Sequence, residues 1–472
     1  MRALSWCVKP PVVSEPQRRN ALVEIAELAE GYLLTRASAV ISPRIDQAAL
    51  KARVDELLAA GPRPLAQVAA DLLAMLGEGI VRTDSPRYFG LFNPPAMPEA
   101  VAGDLIGAVA NPQLAVWSHA PAAAEVEARM VRLFGGLIGW RDESCAGTFT
   151  SGGTEANHTA VLAALARRYP DWAHQGVVGL PKPPAIFVST EAHLAWIKIA
   201  RAAGLGSEAV RLIAPADGLR LTGDEAARAI AEAPDVAPVL IVATAGATAH
   251  GAIDDLTGLA EVARVHRAHF HVDAAWAGAT LLAPERRGLF AGIELADSVT
   301  IDPHKWLCVP MGAGLYLARD WAPLETAFDV STGYMPSASR ERRDPYLHSL
   351  QWSRRFIGLK LFTAFAALGR GELVARIARQ FEMGERLRLG LRRDGWRILN
   401  DTELPISCFA PAVGADEAVR RIEPKVTGSG RAWVSTVRVR GQLALRACIT
   451  SYETSPENID ELLALLDRAR AA

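Results

Sequence analysis

The chain has 472 residues, with 51 Lys and Arg against 52 Asp and Glu, and a formal net charge of -1 at pH 7. That balance, with a pI near 6.8, gives no basic footprint for nucleic acid and no acidic tail; it points to small-molecule chemistry, in a chain long enough to bury a large core. The five cysteines, Cys7, Cys145, Cys308, Cys408 and Cys448, are scattered without paired metal-ligand spacing, and no apolar run is long enough to span a bilayer, so free thiols, no metal and a soluble, cytoplasmic protein with no membrane partner are expected.

Residues 17–82 carry helical spacing, as in ALVEIAELAEGYLL and LAQVAADLLAMLGEGI, with Gly61-Pro62 as a break. They read as a helical N-terminal arm (1–84) whose apolar positions have little of their own to pack on, so burial against a partner is expected. In GTFTSGGTEANHTAVLAALARRY, Thr148 to Ser151 read as a strand end, Gly152 and Gly153 as a tight turn, and Thr154 onward as an amphipathic helix. Such a turn aims unpaired N–H groups and the positive end of a helix dipole at one point, which suits a phosphate; alone it is also an ordinary Gly-rich turn capped by Thr.

From Ser85 to about 365, helical stretches alternate with short apolar runs: AIFVST at Ala185, VLIVATAG at Val239, HFHVDAAW at 269–276, SVTI at Ser298 and GLYLAR at Gly314. The alternation predicts an α/β domain (85–365) with a mostly parallel sheet covered on both faces, and its chemistry gathered at strand C-termini. Asp273 follows Phe270, His271 and Val272, at the end of such a strand. Buried there it needs a cation, unless it caps a helix or holds a metal. Lys305, in SVTIDPHKWLCVPMGAG, lies between two apolar runs. A lysine desolvated in that place tends toward the free amine, which can attack a carbonyl, whereas a lone lysine is more often a surface residue. The last hundred or so residues (366–472) change texture: an Arg-rich helix, then STVRVRG and LALRACIT as strands, then ENIDELLALLDRARAA as a helix. They read as a smaller α+β domain.

Phosphate turn, strand-end Asp and DPHKW lysine occur in that order, together with SPRYFGLFNP at Ser85, AVWSHAPAAAEVE around Trp117, TEAHLAWIKIAR around His193, ATAGATAHGAIDDL around Thr248 and RRFIGLKLF at Arg354. The ordered set resembles the group II pyridoxal-phosphate-dependent amino-acid decarboxylases, those of the aromatic-L-amino-acid type among them, from about residue 20 to the C-terminus. The resemblance implies the fold type I, aspartate-aminotransferase-like architecture, a homodimer with its active site at the subunit interface, and pyridoxal 5'-phosphate as cofactor. It further implies Lys305 as the residue that binds the cofactor, Asp273 as partner of the ring nitrogen, His193 stacked on one ring face and Ala275 beneath the other. Gly153, Thr154, Thr248, Asp302 and His304 are implied as further cofactor contacts. Tyr334, in AFDVSTGYMP, matches the family's loop tyrosine that returns a proton to Cα, and the polar stretch 326–355 around it reads as a lid.

The family likeness puts the substrate pocket wall at Leu91, Phe92, Ala115 and Trp117. Arg87 is the only permanent cation between Ser85 and Glu125, whereas an acidic substrate side chain would want a paired cation. The expected reaction is decarboxylation of an aromatic or apolar L-amino acid. The alternatives are an acidic amino acid, or another fold type I enzyme such as an aminotransferase or carbon–carbon lyase in which Arg446 clamps the substrate carboxylate. A non-catalytic relative would be expected to lack Lys305 or Asp273. His119 reads as a turn residue more than a substrate contact.

Overall fold

The computed structural model describes residues 16–141, 143–330 and 343–471. Seven strands form the larger sheet: β1 (Ala146–Thr150), β2 (Pro184–Ser189), β3 (Val210–Ile213), β4 (Ala237–Thr244), β5 (His269–Asp273), β6 (Ser298–Ile301) and β7 (Gly314–Ala318). Their order is β1-β7-β6-β5-β4-β2-β3, and only β7 runs antiparallel to its neighbours. Four more strands, β8 (Trp396–Ile398), β9 (Ile406–Pro411), β10 (Ser435–Val439) and β11 (Gln442–Cys448), form an antiparallel sheet in the order β10-β11-β9-β8.

The central strands are buried along almost their whole length, as a parallel sheet covered by helices on both faces requires. Side chains alternate between two cores. Phe187, Ile241, Val272 and Val299 join one face, and Ile186, Val188, Leu240 and Val242 pack with Trp196 on the other. The edge strand β3 is the exception, with Arg211 and Leu212 partly open, and its four residues carry too short a pattern to stand out from the sequence. In β10 exposed and half-buried positions alternate, the pattern of a strand with one wet face.

Strands β1, β2, β4, β5 and β6 point the same way and end at one edge of the sheet, at Thr150, Ser189, Thr244, Asp273 and Ile301. Because β7 runs the other way, its first residue, Gly314, lies at that same edge opposite Thr150. A Cβ on Gly314 would come within 2.6 Å of the Gly152 carbonyl carbon, so glycine is needed where β7 meets the turn after β1.

Two long-range ion pairs tie the layers. Arg36, following the first helix (Pro16–Leu34), bonds Glu453 at 2.8 Å and the Ala96 carbonyl at 3.2 Å. Glu127, on helix Pro121–Ile138, meets Arg354 at 2.7 Å and accepts from the Gly358 N–H at 2.9 Å, at the start of helix Gly358–Arg393. That helix crosses from the large sheet to the small one and breaks its helical backbone at Gly369, whose φ of 72° is open to glycine. Burial pushes the Glu127 carboxyl up, and the Arg354 guanidinium opposes that shift. Removing one member of such a pair strands the other charge in the interior. Glu127→Ala should therefore lose about 3–5 kcal/mol in urea unfolding; an unchanged midpoint would show that the pair contributes nothing.

Candidate functional site

A cavity of about 380 Å³ opens at the carboxyl edge of the large sheet. It is lined by Gly153, Thr154, His193, Thr248, Asp273, Ala275, Asp302, His304 and Lys305, together with Ser151, Gly152, Glu155, Asn157, Thr244, Trp276 and Met311. The nine residues expected around a cofactor thus converge on one space.

Helix Gly153–Arg168 starts at this edge with Gly152 as its N-cap, which has no side chain to accept the first-turn N–H groups. Those donors and the positive end of the helix dipole are directed into the cavity mouth. Ser151 donates to Glu155 Oε2 through its N–H at 2.8 Å and its hydroxyl at 2.7 Å, and Gln351 holds the same carboxylate at 2.6 and 2.9 Å. An anion drawn to the turn would compete with Glu155 for Ser151. A Cβ on Gly153 would stand 2.8 Å from Asp302 Oδ2, so the turn must be bare to lie against that carboxylate.

Lys305 Nζ is 3.0 Å from Asp302 Oδ2, and its side chain is a quarter exposed. The sequence suggests a lone desolvated amine; the structure has an ion-paired one, because the Asp three residues earlier folds back beneath it through a turn closed by Lys305 N–H to Asp302 O. His304 points its Nδ1 at the Ala313 backbone, 2.7 Å from the carbonyl oxygen. Burial holds its pKa below the usual imidazole value, while Asp302 opposes that shift. His193 is exposed at the cavity and accepts the Ala195 N–H at Nδ1, 3.1 Å away.

Asp273 ends β5 with 7 % of its surface exposed. Its Oδ2 accepts from Asn157 Nδ2 at 2.8 Å and its Oδ1 from the Ala275 N–H at 3.1 Å. Both donors are neutral, and no Lys, Arg or His among the described residues forms an ion pair with it. Beside it in the register, Thr244 keeps a buried hydroxyl without a partner and lines the same cavity. A buried carboxylate short of a cation, an amine, bare helix N–H groups and a free hydroxyl make a donor set that fits pyridoxal phosphate through its ring nitrogen, carbonyl, phosphate and phenolic oxygen.

The expected substrate wall is arranged differently. Phe92 is buried and stacked on Trp276, with centroids 4.3 Å apart; Leu91 is 42 % exposed; Ala115 is fully buried. Trp117 lines a second cavity with Glu127, His348 and Arg354. None of the four lines the cavity at Lys305 within one chain. His119 sits beside Ser118, outside that cavity. Arg446 spends its guanidinium on Ser435 Oγ and on the Thr248 and Gly90 carbonyls, at 2.9, 2.6 and 3.2 Å, so it ties the small sheet to the cavity wall instead of offering a free carboxylate clamp. Tyr334 lies outside the described residues. Asn157, Glu155 and Thr244 escaped the sequence reading, although Asn157 stands one helical turn beyond Gly153 as a polar residue among Ala and Thr.

Residues 48–411 match the family described as "Pyridoxal-dependent decarboxylase conserved domain". Mouse cysteine sulfinic acid decarboxylase is 33% identical over 336 residues, 70% of this chain and 68% of that protein. Tryptophan decarboxylase 1 of Oryza sativa subsp. japonica is 28% identical over 470 residues, 92% of this chain and 90% of that one. Among solved structures, that of Oryza sativa TDC with PLP and tryptamine superposes with a TM-score of 0.90 at 24% identity, covering 98% of this chain and 99% of that chain.

The close approach of the turn to Asp302 yields a direct expectation. Gly153→Ala should push the turn off Asp302 and weaken cofactor retention at least about tenfold, the scale of one lost charge-assisted contact, read as the fraction of bound pyridoxal phosphate after dialysis. Wild-type retention would mean that the turn does not hold the cofactor.

Proposed function

The chain belongs to the pyridoxal-dependent decarboxylase family, and from that premise we propose that it converts an aromatic or otherwise apolar L-amino acid to the amine and carbon dioxide. As a member it is a carboxy-lyase with pyridoxal phosphate as cofactor. When bound, the cofactor supplies a conjugated sink for the electron pair left on Cα as carbon dioxide departs.

This chain's own residues divide the work. Lys305 binds the cofactor's carbonyl carbon through its amine, with Asp302 orienting it. The bare first turn at Gly153 and Thr154 binds the phosphate, and Asp273 holds the ring nitrogen protonated. His193 would hold one ring face and Ala275 the other, with Thr248 and His304 as further contacts. With the cofactor bound, these residues would orient the substrate so that its Cα–carboxylate bond is the one that breaks. We assign the return of a proton to Cα to the Tyr334 phenol.

The substrate assignment rests on one observation. Among the described residues lining the cavity, Lys305 is the only Lys or Arg, and it is committed to the cofactor. An acidic substrate side chain would find no cation there. The cysteine sulfinic acid decarboxylase relative favours a second reading, an acidic substrate whose cation comes from elsewhere. We further propose a cytoplasmic homodimer. Helices Gln47–Ala59 and Leu65–Gly79 bury no residue, and Leu58, Leu65 and Leu72 are exposed, a face suited to a second copy. No helix among the described residues is long and apolar enough to cross a membrane.

A panel of tryptophan, tyrosine, phenylalanine, cysteine sulfinate, aspartate and glutamate, with products identified by mass, should give amine from the first three; amine from only the acidic members would reverse the assignment. Tyr334→Phe should still bind substrate while amine formation falls by roughly two to four powers of ten, and a wild-type rate would remove Tyr334 from the proton step.

A further inference from the structure

Behind Asp273 a row of buried polar side chains passes through the sheet. Asn157 Nδ2 is 2.8 Å from Asp273 Oδ2, and Asn157 Oδ1 is 3.1 Å from His271 Nε2. His271 Nδ1 is 2.7 Å from Ser298 Oγ, which is 2.7 Å from His269 Nε2. Asn157 and His269 are 3 % exposed, and His271 and Ser298 are 0 % exposed. The row ends at His269 Nδ1, which is buried without a partner and lines a pocket with Tyr316, Arg167, Arg319 and Asp297. The charges there satisfy one another, for Asp297 Oδ1 bonds Arg167 at 2.6 Å and Arg319 at 2.9 Å.

With Asp273 as a carboxylate facing a ring nitrogen, donor and acceptor rules set one direction for the hydrogens along this row, and the Tyr316 hydroxyl meets Ser298 from the side. An ionised carboxylate only accepts, so Asn157 must turn its NH₂ to Asp273 and its oxygen to His271; the flipped amide would set oxygen against carboxylate. That oxygen has no hydrogen, so His271 Nε2 must carry one, which Thr300 Oγ1 at 3.3 Å can share. Burial keeps both imidazoles neutral, depressing His271 well below its usual range and His269 to about 4. A neutral His271 therefore has a bare Nδ1, and Ser298 donates to it. The Ser298 oxygen is then left to accept from His269 Nε2–H. Every donor points toward Asp273, and hydrogen bonds aligned in one sense polarise each other.

We propose that Asn157, His271, Ser298 and His269 form a one-way hydrogen-bond relay that orients Asp273 as the partner of the cofactor's ring nitrogen. They are positioning residues, since none but Asn157 reaches the cavity. The relay gives a buried carboxylate a strengthened donor without giving it a cation, so its charge stays available to the ring nitrogen. A lysine or arginine in place of Asn157 would neutralise it instead.

The proposal rests on the reading that Asp273 faces the ring nitrogen, and its test separates the two. In apoprotein labelled with ¹⁵N-histidine, two-bond ¹H–¹⁵N spectra should show His269 and His271 both neutral and both protonated at Nε2 from about pH 6 to about pH 8. An Nδ1–H form or an imidazolium at His271 overturns the relay. Pyridoxal phosphate affinity supplies the second readout. His271→Gln can still donate through Nε2 and accept through Oε1, and should keep affinity within about threefold, whereas His271→Phe should lose about tenfold or more. A merely structural role predicts the opposite order, because Phe preserves the edge-to-face packing on Trp196, 5.7 Å away, and Gln does not. If neither variant folds, the wild-type histidine spectra decide the question. Wild-type affinity in Asp273→Asn, with the expected tautomers, would instead overturn the ring-nitrogen reading and the proposal with it.

Discussion

Asp273 stands 7 % exposed at the end of β5, held by two neutral donors and by no cation among the described residues. A buried carboxylate with neutral donors only is a place suited to a cationic ligand. On the proposed reading, the protonated ring nitrogen of pyridoxal phosphate would be that ligand. On the same reading the rest of the cavity would serve the other ends of that molecule: Lys305 the carbonyl, the bare helix N–H groups at Gly153 the phosphate, and the unpartnered Thr244 hydroxyl an oxygen.

The fold brings these groups together by direction alone. Parallel strands end at one edge, so residues more than a hundred positions apart in sequence, such as Thr150 and Asp273, come to the same edge of the sheet. The one reversed strand, β7, contributes its beginning to the same edge, and Gly314 lets it touch the turn after β1. Stability and function share these elements: the strands that end at the cavity are buried along almost their whole length.

Much of this is legible before any coordinates. Apolar runs such as VLIVATAG and HFHVDAAW announce fully buried strands, and the polar residue that closes each run announces the edge where ligands bind. Three features were not legible for physical reasons. Edge strand β3 is four residues long and half open, so its pattern is weak. Asn157 looks like one more residue of an amphipathic helix until β5 is placed beside it and supplies Asp273 and His271 as partners. Lys305 reads as a desolvated amine because the apolar runs on either side of it dominate the pattern, whereas the local four-residue turn from Asp302 to Lys305 brings Nζ to 3.0 Å from Asp302 Oδ2. The substrate wall is harder still, since Ala115 and Trp117 lie away from the Lys305 cavity in a single chain.

The central claim is that the chain arranges a buried carboxylate to keep the cofactor's ring nitrogen protonated. The most direct measurement is the ¹⁵N chemical shift of ring-labelled pyridoxal phosphate bound to the wild-type protein and to Asp273→Asn. The account predicts a protonated ring nitrogen in the wild type and its loss in the variant; an unprotonated nitrogen in the wild type, or the same shift in both, would contradict it.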